Sequence, residues 1–528
     1  MHGVQSLQIV FLLLLFFAIA FAALARRLKT PYPIILVLAG LLLSFAPAIP
    51  KIALDPDVVF YVFLPPLLYA AAWNTSWREF SKNLTSILML AIGLVGFTVF
   101  GVALASQAWF SAFDWRSGIV LGAVVSTTDA IAATSIATRL GVRRRIVDVL
   151  EGESLVNDAT GLLALEFGLA MFLGGPTLGL ADGIARLAYL SIAGIAIGLI
   201  VGVVVDWFER RIDDGPIEIA ISILVAYASY FAAEAADASG VLAVVTAGLY
   251  LSRRSVHFFS PGVRLQAAAV WDALTFVLNG VVFLLIGLQL PEVLAGIRQH
   301  DIGTLIATAA PFVALVIGLR LVWVFPGAYI AYFVRTRLLR HDERPPSLRG
   351  IFVIGWAGMR GVIALAAAMS LPATMPNRSL IVFLTFSVIL VTLVGQGLTL
   401  PPLIRALRLQ SSEEVDPEEF AARRSILEEA LRHLEQIRER DAERFADVYD
   451  DVAQHYQARL SALTGEGWDE HGTTAEHAAR YQEVTREILA HEREVAAGLR
   501  NSGRISDEVL RRILLELDLS ETGMSSRA

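Results

Sequence analysis

The sequence predicts an all-α polytopic membrane protein followed by a soluble helical tail. Three observations carry that prediction. The 528 residues are 55% hydrophobic and only 18% charged, whereas soluble domains are about 45–50% apolar and about 25% charged. Apolar runs recur from the N-terminus to Arg408 and then stop. Each is about 20 residues long, the length of a bilayer-crossing helix. The runs are also continuous rather than short and alternating, which excludes an outer-membrane barrel. The chain therefore divides into a membrane domain, residues 1–408, and a cytoplasmic helical tail, residues 409–528.

About thirteen spans meet a length criterion of roughly 17–25 residues. They centre on 4–25, 32–48, 58–73, 84–110, 117–138, 146–173, 184–207, 216–234, 239–251, 267–290, 302–333, 350–371 and 380–403. The first has no basic residue ahead of it, and Arg26, Arg27 and Lys29 after it. A signal peptide has the reverse order, so this run is read as a retained helix with its N-terminus outside. Alternate loops are basic: Arg26/Arg27/Lys29, Arg78/Lys82, Arg139/Arg143/Arg144/Arg145, Arg210/Arg211, Arg253/Arg254/Arg264 and Arg335/Arg337/Arg340/Arg344/Arg349. The loops between them hold one basic residue or none: Lys51, Arg116, Arg186, Arg298 and Arg378. That alternation supports the count and places the basic side in the cytoplasm of a plasma (inner) membrane protein. An odd number of spans then leaves the tail inside. Pro65-Pro66 is expected to kink the third span. Asp206, Glu209, Glu234 and Asp237 fall at span ends and are read as solvated.

In the tail, Asp416-Pro417-Glu418-Glu419 reads as a helix start, with Asp as the cap and Pro at the first position. A charged helical stretch runs to Thr464, 465–474 is a linker, and another helix follows. Ile505, Val509, Ile513 and Leu517 mark a short amphipathic ending. Such a tail is read as a solvated or self-associating coil, with binding of a regulator as the sharper alternative. The chain has no cysteine, so disulfides and thiolate metal sites are excluded. The net charge of −7 is dominated by the tail, and there is no basic tract for nucleic acid. The nine histidines form no metal-ligand pattern. The tail has no nucleotide loop, so an enzyme is not expected, and no cofactor is implied.

Acids inside the membrane carry the functional argument, because each costs roughly 2.5–3.5 kcal/mol at mid-bilayer on insertion scales. The sixth span contains Glu151-Gly152-Glu153-Ser154-Leu155-Val156-Asn157-Asp158. Glu153 and Asn157 share one helix face, Ser154 and Asp158 the adjoining one. Ser154, Asn157 and Asp158 offer oxygens to a small hard cation, and Asp158 falls near mid-depth. The fifth span carries Ser126-Thr127-Thr128-Asp129-Ala130. Three hydroxyls before an acid weaken an apolar helix, and a break would expose carbonyls to a cation. The alternative is an intact helix in which Asp129 caps a neighbour. In the twelfth span, Gly355, Gly358 and Gly361 surround Arg360, and Arg320 lies in the eleventh. Each buried arginine needs a counter-charge. Glu153 is a natural partner for one and Asp129 a possible partner for the other. Salt bridges that only hold helices together are the structural alternative for Glu153 and both arginines. The fifth and twelfth spans run in opposite directions, as in an inverted-repeat transporter in which each half gives one broken helix. Asp272 and Asn279 are further candidates for lining a pathway.

Together, Leu64-Pro65-Pro66-Leu67-Leu68-Tyr69, Thr128-Asp129-Ala130, Gly152-Glu153-Ser154-Leu155-Val156-Asn157-Asp158-Ala159 and Gly358-Met359-Arg360-Gly361 resemble the bacterial Na+/H+ antiporters of the cation:proton antiporter-1 family. The resemblance covers residues 4–408. It implies thirteen helices with broken, crossing fifth and twelfth helices, and a homodimer. It implies that Asp158 binds a cation and a proton alternately, with Ser154, Thr128 and Asp129 assisting. Asp158, Ser154 and Thr128 would be the direct ligands of the cation. Asn157 would support the site, and Glu153 with Arg320 or Arg360 would hold it. The chain departs from the family at Ala130, where proline is common, and at Ala70, Ala71 and Ala72, where some members carry an acid. The expected activity is exchange of a monovalent cation for H+ by alternating access, serving pH and cation homeostasis. Na+ is the first expectation, with Li+ or K+ next, and a K+/H+ antiporter or a proton-coupled organic solute carrier as rivals. Burial disfavours a bare Asp158 carboxylate, while hydroxyl and amide groups favour it. Competition of Na+ and H+ for that carboxylate would couple the two fluxes.

Overall fold

The computed structural model describes residues 2–46, 54–109, 113–172, 180–297, 301–340, 345–410, 417–441, 446–464 and 475–502, together with 513, 514, 516, 517 and 519. The chain forms two compact units, Met1–Ser411 and Ser412–Ala528.

The first unit opens with α1 (His2–Arg27) and α2 (Tyr32–Leu43). The third run is α3 (Pro56–Val58), a π-helical turn (Val59–Phe63) and α4 (Leu64–Asn74). Pro65 and Pro66 stand in the first turn of α4, where a missing N–H is tolerated. The Val62 carbonyl, which Pro66 cannot serve, accepts from the Tyr227 hydroxyl at 3.0 Å. The expected proline kink is thus a π-helical turn. The fourth run is α5 (Trp77–Leu88), a π-helical turn (Met89–Leu94) and α6 (Val95–Trp109). Its displaced carbonyls find partners elsewhere: Trp323 Nε1 donates to Met89 O at 2.9 Å and Thr160 Oγ1 to Ala91 O at 2.6 Å.

The fifth run is split into α7 (Trp115–Ser126) and α8 (Ala130–Arg139), followed by the long α9 (Arg144–Ala170). Next come α10 (Leu180–Glu209), α11 (Gly215–Glu234), α12 (Gly240–Phe258), α13 (Pro261–Leu288) and a short α14 (Leu290–Ala295). The ninth run, expected to end at 251, continues to Phe258. Then α15 (Ile302–Phe333) passes into a π-helical turn (Val334–Leu338). The twelfth run is split into α16 (Leu348–Trp356) and α17 (Val362–Met369). The unit closes with α18 (Arg378–Leu390), a π-helical turn (Val391–Gln396) and α19 (Gly397–Ala406).

Short polar side chains start many of these helices. Asp114, Asp129, Asp214, Ser239, Ser260, Asp301 and Ser347 each accept from a first-turn amide, the usual device for orphan N–H groups. Among the described residues, eight helical runs are long and apolar enough to cross a membrane. The second expected span falls on α2, with only 12 residues, and the twelfth on the split α16 and α17. The core gathers around the split helices. Val124 and Val125 of α7, Leu365 and Ala366 of α17 and Leu384 of α18 are buried together. Asp206 and Glu209, read as solvated, are buried instead. Asp206 is covered by Arg210, at 3.1 Å one helical turn away. Glu234 and Asp237 are exposed as expected.

The second unit holds α20 (Pro417–Asp441), α21 (Ala446–Thr464) and α22 (Ala475–Asn501). The stretch read as continuous to Thr464 is thus two helices, tied by Arg438 and Asp450 at 3.1 Å. Asp416, the 465–474 linker, Ile505 and Val509 lie outside the described residues, while Ile513 and Leu517 are helical.

Candidate functional site

The two interruptions meet. Residues Thr127, Thr128 and Asp129 leave the helix between α7 and α8, with Thr127 and Asp129 extended. Residues Ala357 to Gly361 do the same between α16 and α17. The Asp129 amide donates to the Met359 carbonyl at 2.8 Å, so the split helices cross at their breaks. Gly361 permits this approach. A Cβ there would lie 2.6 Å from Asp129 Cβ and 2.8 Å from its Cγ, where no side chain fits without a shift.

Breaking two helices leaves partial charges at four ends. The negative end of α7 faces Arg360. Its Nε donates to Val125 O at 3.1 Å, its Nη1 to Gly358 O, and its backbone amide to Thr392 Oγ1 at 3.1 Å. Among the described residues no carboxylate is within ion-pair distance of Arg360. The counter-charge expected from sequence is replaced by carbonyl dipoles. At the start of α8, Asp129 Oδ1 accepts from Ile131 N at 2.9 Å. Asp129 therefore caps the helix that begins beside it. It forms no ion pair with either arginine.

Glu153 takes Arg320 as its partner. Arg320 Nη2 reaches Glu153 Oε2 at 2.9 Å, Nη1 reaches Oε1, and both side chains are 1% exposed. The same guanidinium donates to Gly355 O and Ile354 O, each at 3.1 Å. A Cβ on Gly358 would collide with it. Arg320 thus clamps α9 to the end of α16, with its donors satisfied by charge-assisted bonds.

Thr128 sits at the centre. Its hydroxyl donates to Glu153 Oε1 at 3.1 Å and accepts from Asn157 Nδ2. Its carbonyl accepts from Ser154 Oγ at 3.0 Å. This network fixes the break against α9. Asn157 Oδ1 is buried with no hydrogen-bond partner among the described residues.

A cavity of about 120 Å³ lies beside the crossing, and Thr128, Asp129, Ser154 and Asp158 line it. Glu151, Thr134 and Asn279 line it as well. Asp158 is 3% exposed, and no donor among the described residues is directed at its carboxylate. The volume matches roughly four waters at about 30 Å³ each. Asn157, grouped with Ser154 and Asp158 from sequence, supports the wall through Thr128 and does not line the cavity. Asn279 is buried at the cavity, whereas Asp272 is exposed. Glu151 belongs to the acidic run, and sequence alone does not distinguish it from its neighbours. Its i, i+3 and i, i+7 spacing to Ser154 and Asp158 was the available signal. Among the described residues, no group of three or more acidic, histidine or cysteine side chains is placed to hold a metal ion.

The family model described as sodium/hydrogen exchanger, transmembrane, matches residues 12–406. An uncharacterized Na+/H+ exchanger of Mycobacterium tuberculosis is 34% identical over 94% of this chain and 92% of its own length. The Na+/H+ antiporter ApNhaP of Aphanothece halophytica is 32% identical over 78% of this chain and 76% of its own. The fold is similar to that of the sodium proton antiporter MjNhaP1 from Methanocaldococcus jannaschii, with a TM-score of 0.57 at 18% identity. That match covers 78% of this chain and all of the other.

Proposed function

We propose, for a chain that belongs to the transmembrane sodium/hydrogen exchanger family, that one carboxylate, Asp158, carries the cation and the proton in turn. The supporting observation is its setting. It is buried, no donor among the described residues is directed at it, and it faces a cavity of about 120 Å³ with Ser154, Thr128 and Asp129. A bare carboxylate in a low-dielectric interior is costly. Either a cation or a proton lowers that cost, and both cannot occupy the same oxygens. The carrier therefore crosses loaded and returns loaded, which is antiport by alternating access.

The direct ligands in this reading are Asp158, Ser154 and Thr128, with Asp129 beside them. Asn157 and the Glu153–Arg320 pair hold the frame. Arg360 offsets the negative end of α7 and Arg320 that of α16. The cavity volume weighs against an organic solute, whose sites run to about 300–1,000 Å³. Na+ is the proposed cation, and the names of the two sequence relatives, a Na+/H+ exchanger and a Na+/H+ antiporter, support that choice. The basic loops support a cytoplasmic tail and an external N-terminus, and the exposed apolar face of α10 is available to a second copy in a homodimer.

The test uses full-length protein in vesicles with an internal pH dye. Na+, Li+ or K+ is added to wild type and to Asp158→Asn. Cation-evoked proton movement is expected in wild type and absent in the variant. Exchange retained by Asp158→Asn removes the carboxylate from the mechanism.

A further inference from the structure

The cavity at the crossing reaches from Asp158 toward the arginine-rich loops. Helix α9 begins at Arg144, and α8 ends at Arg139 on the other side of the same basic loop. Glu151 therefore lies between that loop and Asp158, two helical turns or about 10 Å before it. Thr134 lies between the same loop and the break at Asp129. Both residues line the cavity, and both are half-buried. The Thr134 hydroxyl donates to Ala130 O at 2.9 Å, which leaves its oxygen lone pairs available to a ligand. Among the described residues no donor is within hydrogen-bond distance of the Glu151 carboxylate. Arg144, two turns away on the same helix, is engaged by Asp148 at 3.3 Å.

Asn279 of α13 is an independent sign of an occupant. It is 7% exposed, it lines the same cavity, and its Oδ1 has no hydrogen-bond partner among the described residues. A buried amide oxygen in that condition calls for a water or an ion. Charge says which. Asp129, Glu151 and Asp158 all line the cavity, and none of its described lining residues is basic. A cleft lined by one sign of charge concentrates counter-ions, and one cation on Asp158 leaves Glu151 without one. Hard cations take carboxylate, hydroxyl and amide oxygens. We propose that Glu151, Thr134 and Asn279 form an outer cation position, where a partly hydrated monovalent cation stops between Asp158 and the face that carries the arginine-rich loops. Its place on the transport route rests on the reading of Asp158 as the exchanging carboxylate. The binding itself does not.

The first readout is thermal unfolding of the full chain in detergent, with NaCl set against N-methyl-D-glucamine chloride at equal ionic strength. Asp158→Asn should keep a Na+-dependent rise in Tm of about 1 °C or more. Asp158→Asn/Glu151→Gln should lose it. No rise in Asp158→Asn, or the same rise in the double variant, overturns the proposal. The second readout is exchange in membrane vesicles of both orientations, with sidedness fixed by trypsin access to the arginine-rich loops. With those loops facing the added Na+, Glu151→Gln should raise the half-saturating concentration at least about threefold. With the opposite face exposed, the value should stay near wild type. Glu151→Asp should restore it. An equal rise from both faces marks a structural role and overturns the proposal. Exchange retained by Asp158→Asn removes the Asp158 reading alone, and the unfolding comparison then still tests the outer position.

Discussion

Arg320 grips Glu153 with both terminal nitrogens, and the same guanidinium holds two carbonyls at the end of α16. Removing one partner of such a buried pair costs about 3–5 kcal/mol, because the other charge is left uncompensated. Glu153→Gln and Arg320→Gln should each lower the unfolding temperature in detergent sharply. The double variant should lose less than the two single losses added together. Arg320→Lys retains the charge but lacks the fork, so it should fall between. Strictly additive losses would show that the pair does not act as a unit.

The crossing depends on two glycines for steric reasons. A Cβ at Gly361 meets Asp129, and one at Gly358 meets Arg320. Gly361→Ala should reduce exchange strongly while the Glu153–Arg320 clamp holds the fold. Gly358→Ala should lower thermal stability first, because it displaces the clamp itself. Measuring Tm and initial exchange rate on both variants separates the two. Equal behaviour would count against this division.

Much of this architecture was legible in the sequence, for physical reasons. Polar residues and glycines in apolar runs announced both breaks, because a lipid-facing helix has little reason to carry Thr127, Thr128 and Asp129 together. The partner of Glu153 was not legible. Arg320 and Arg360 are both intramembrane guanidiniums, and only tertiary packing sets one beside an acid and the other beside carbonyls. Asp129 illustrates the same ambiguity. Capping and helix breaking looked like alternatives, yet the break creates the very helix start that Asp129 caps. The π-helical turns at Val59–Phe63 and Met89–Leu94 were invisible, since their displaced carbonyls are served by Tyr227, Trp323 and Thr160 from distant helices.

Thr128 links the break to α9 through three hydrogen bonds, two of which use its hydroxyl. Thr128→Val keeps the shape and removes the hydroxyl. The Asn157 amide is then left buried without that acceptor, at a cost of about 1–3 kcal/mol. The half-saturating cation concentration should rise about tenfold or more. Asn279→Ala, which also lines the cavity but lies outside the Thr128 network, should shift it less and leave Tm nearly unchanged. A larger shift at Asn279 than at Thr128 would relocate the binding centre.

Competition for one carboxylate has a definite signature in pH. While Asp158 is deprotonated, the half-saturating cation concentration should not depend on pH. Once acidification protonates it, each further unit of pH should raise that concentration about tenfold, because the cation must displace a proton. Saturating cation should restore proton movement at each of these pH values, since the competitor is outrun rather than the carrier inactivated. Initial rates in vesicles, with cation titrated at a series of external pH values, give both quantities. A maximal rate that falls with acid at constant half-saturation would instead place the proton at a separate group. Asp129 or Glu151, which line the same cavity, would then be the carboxylates to replace next.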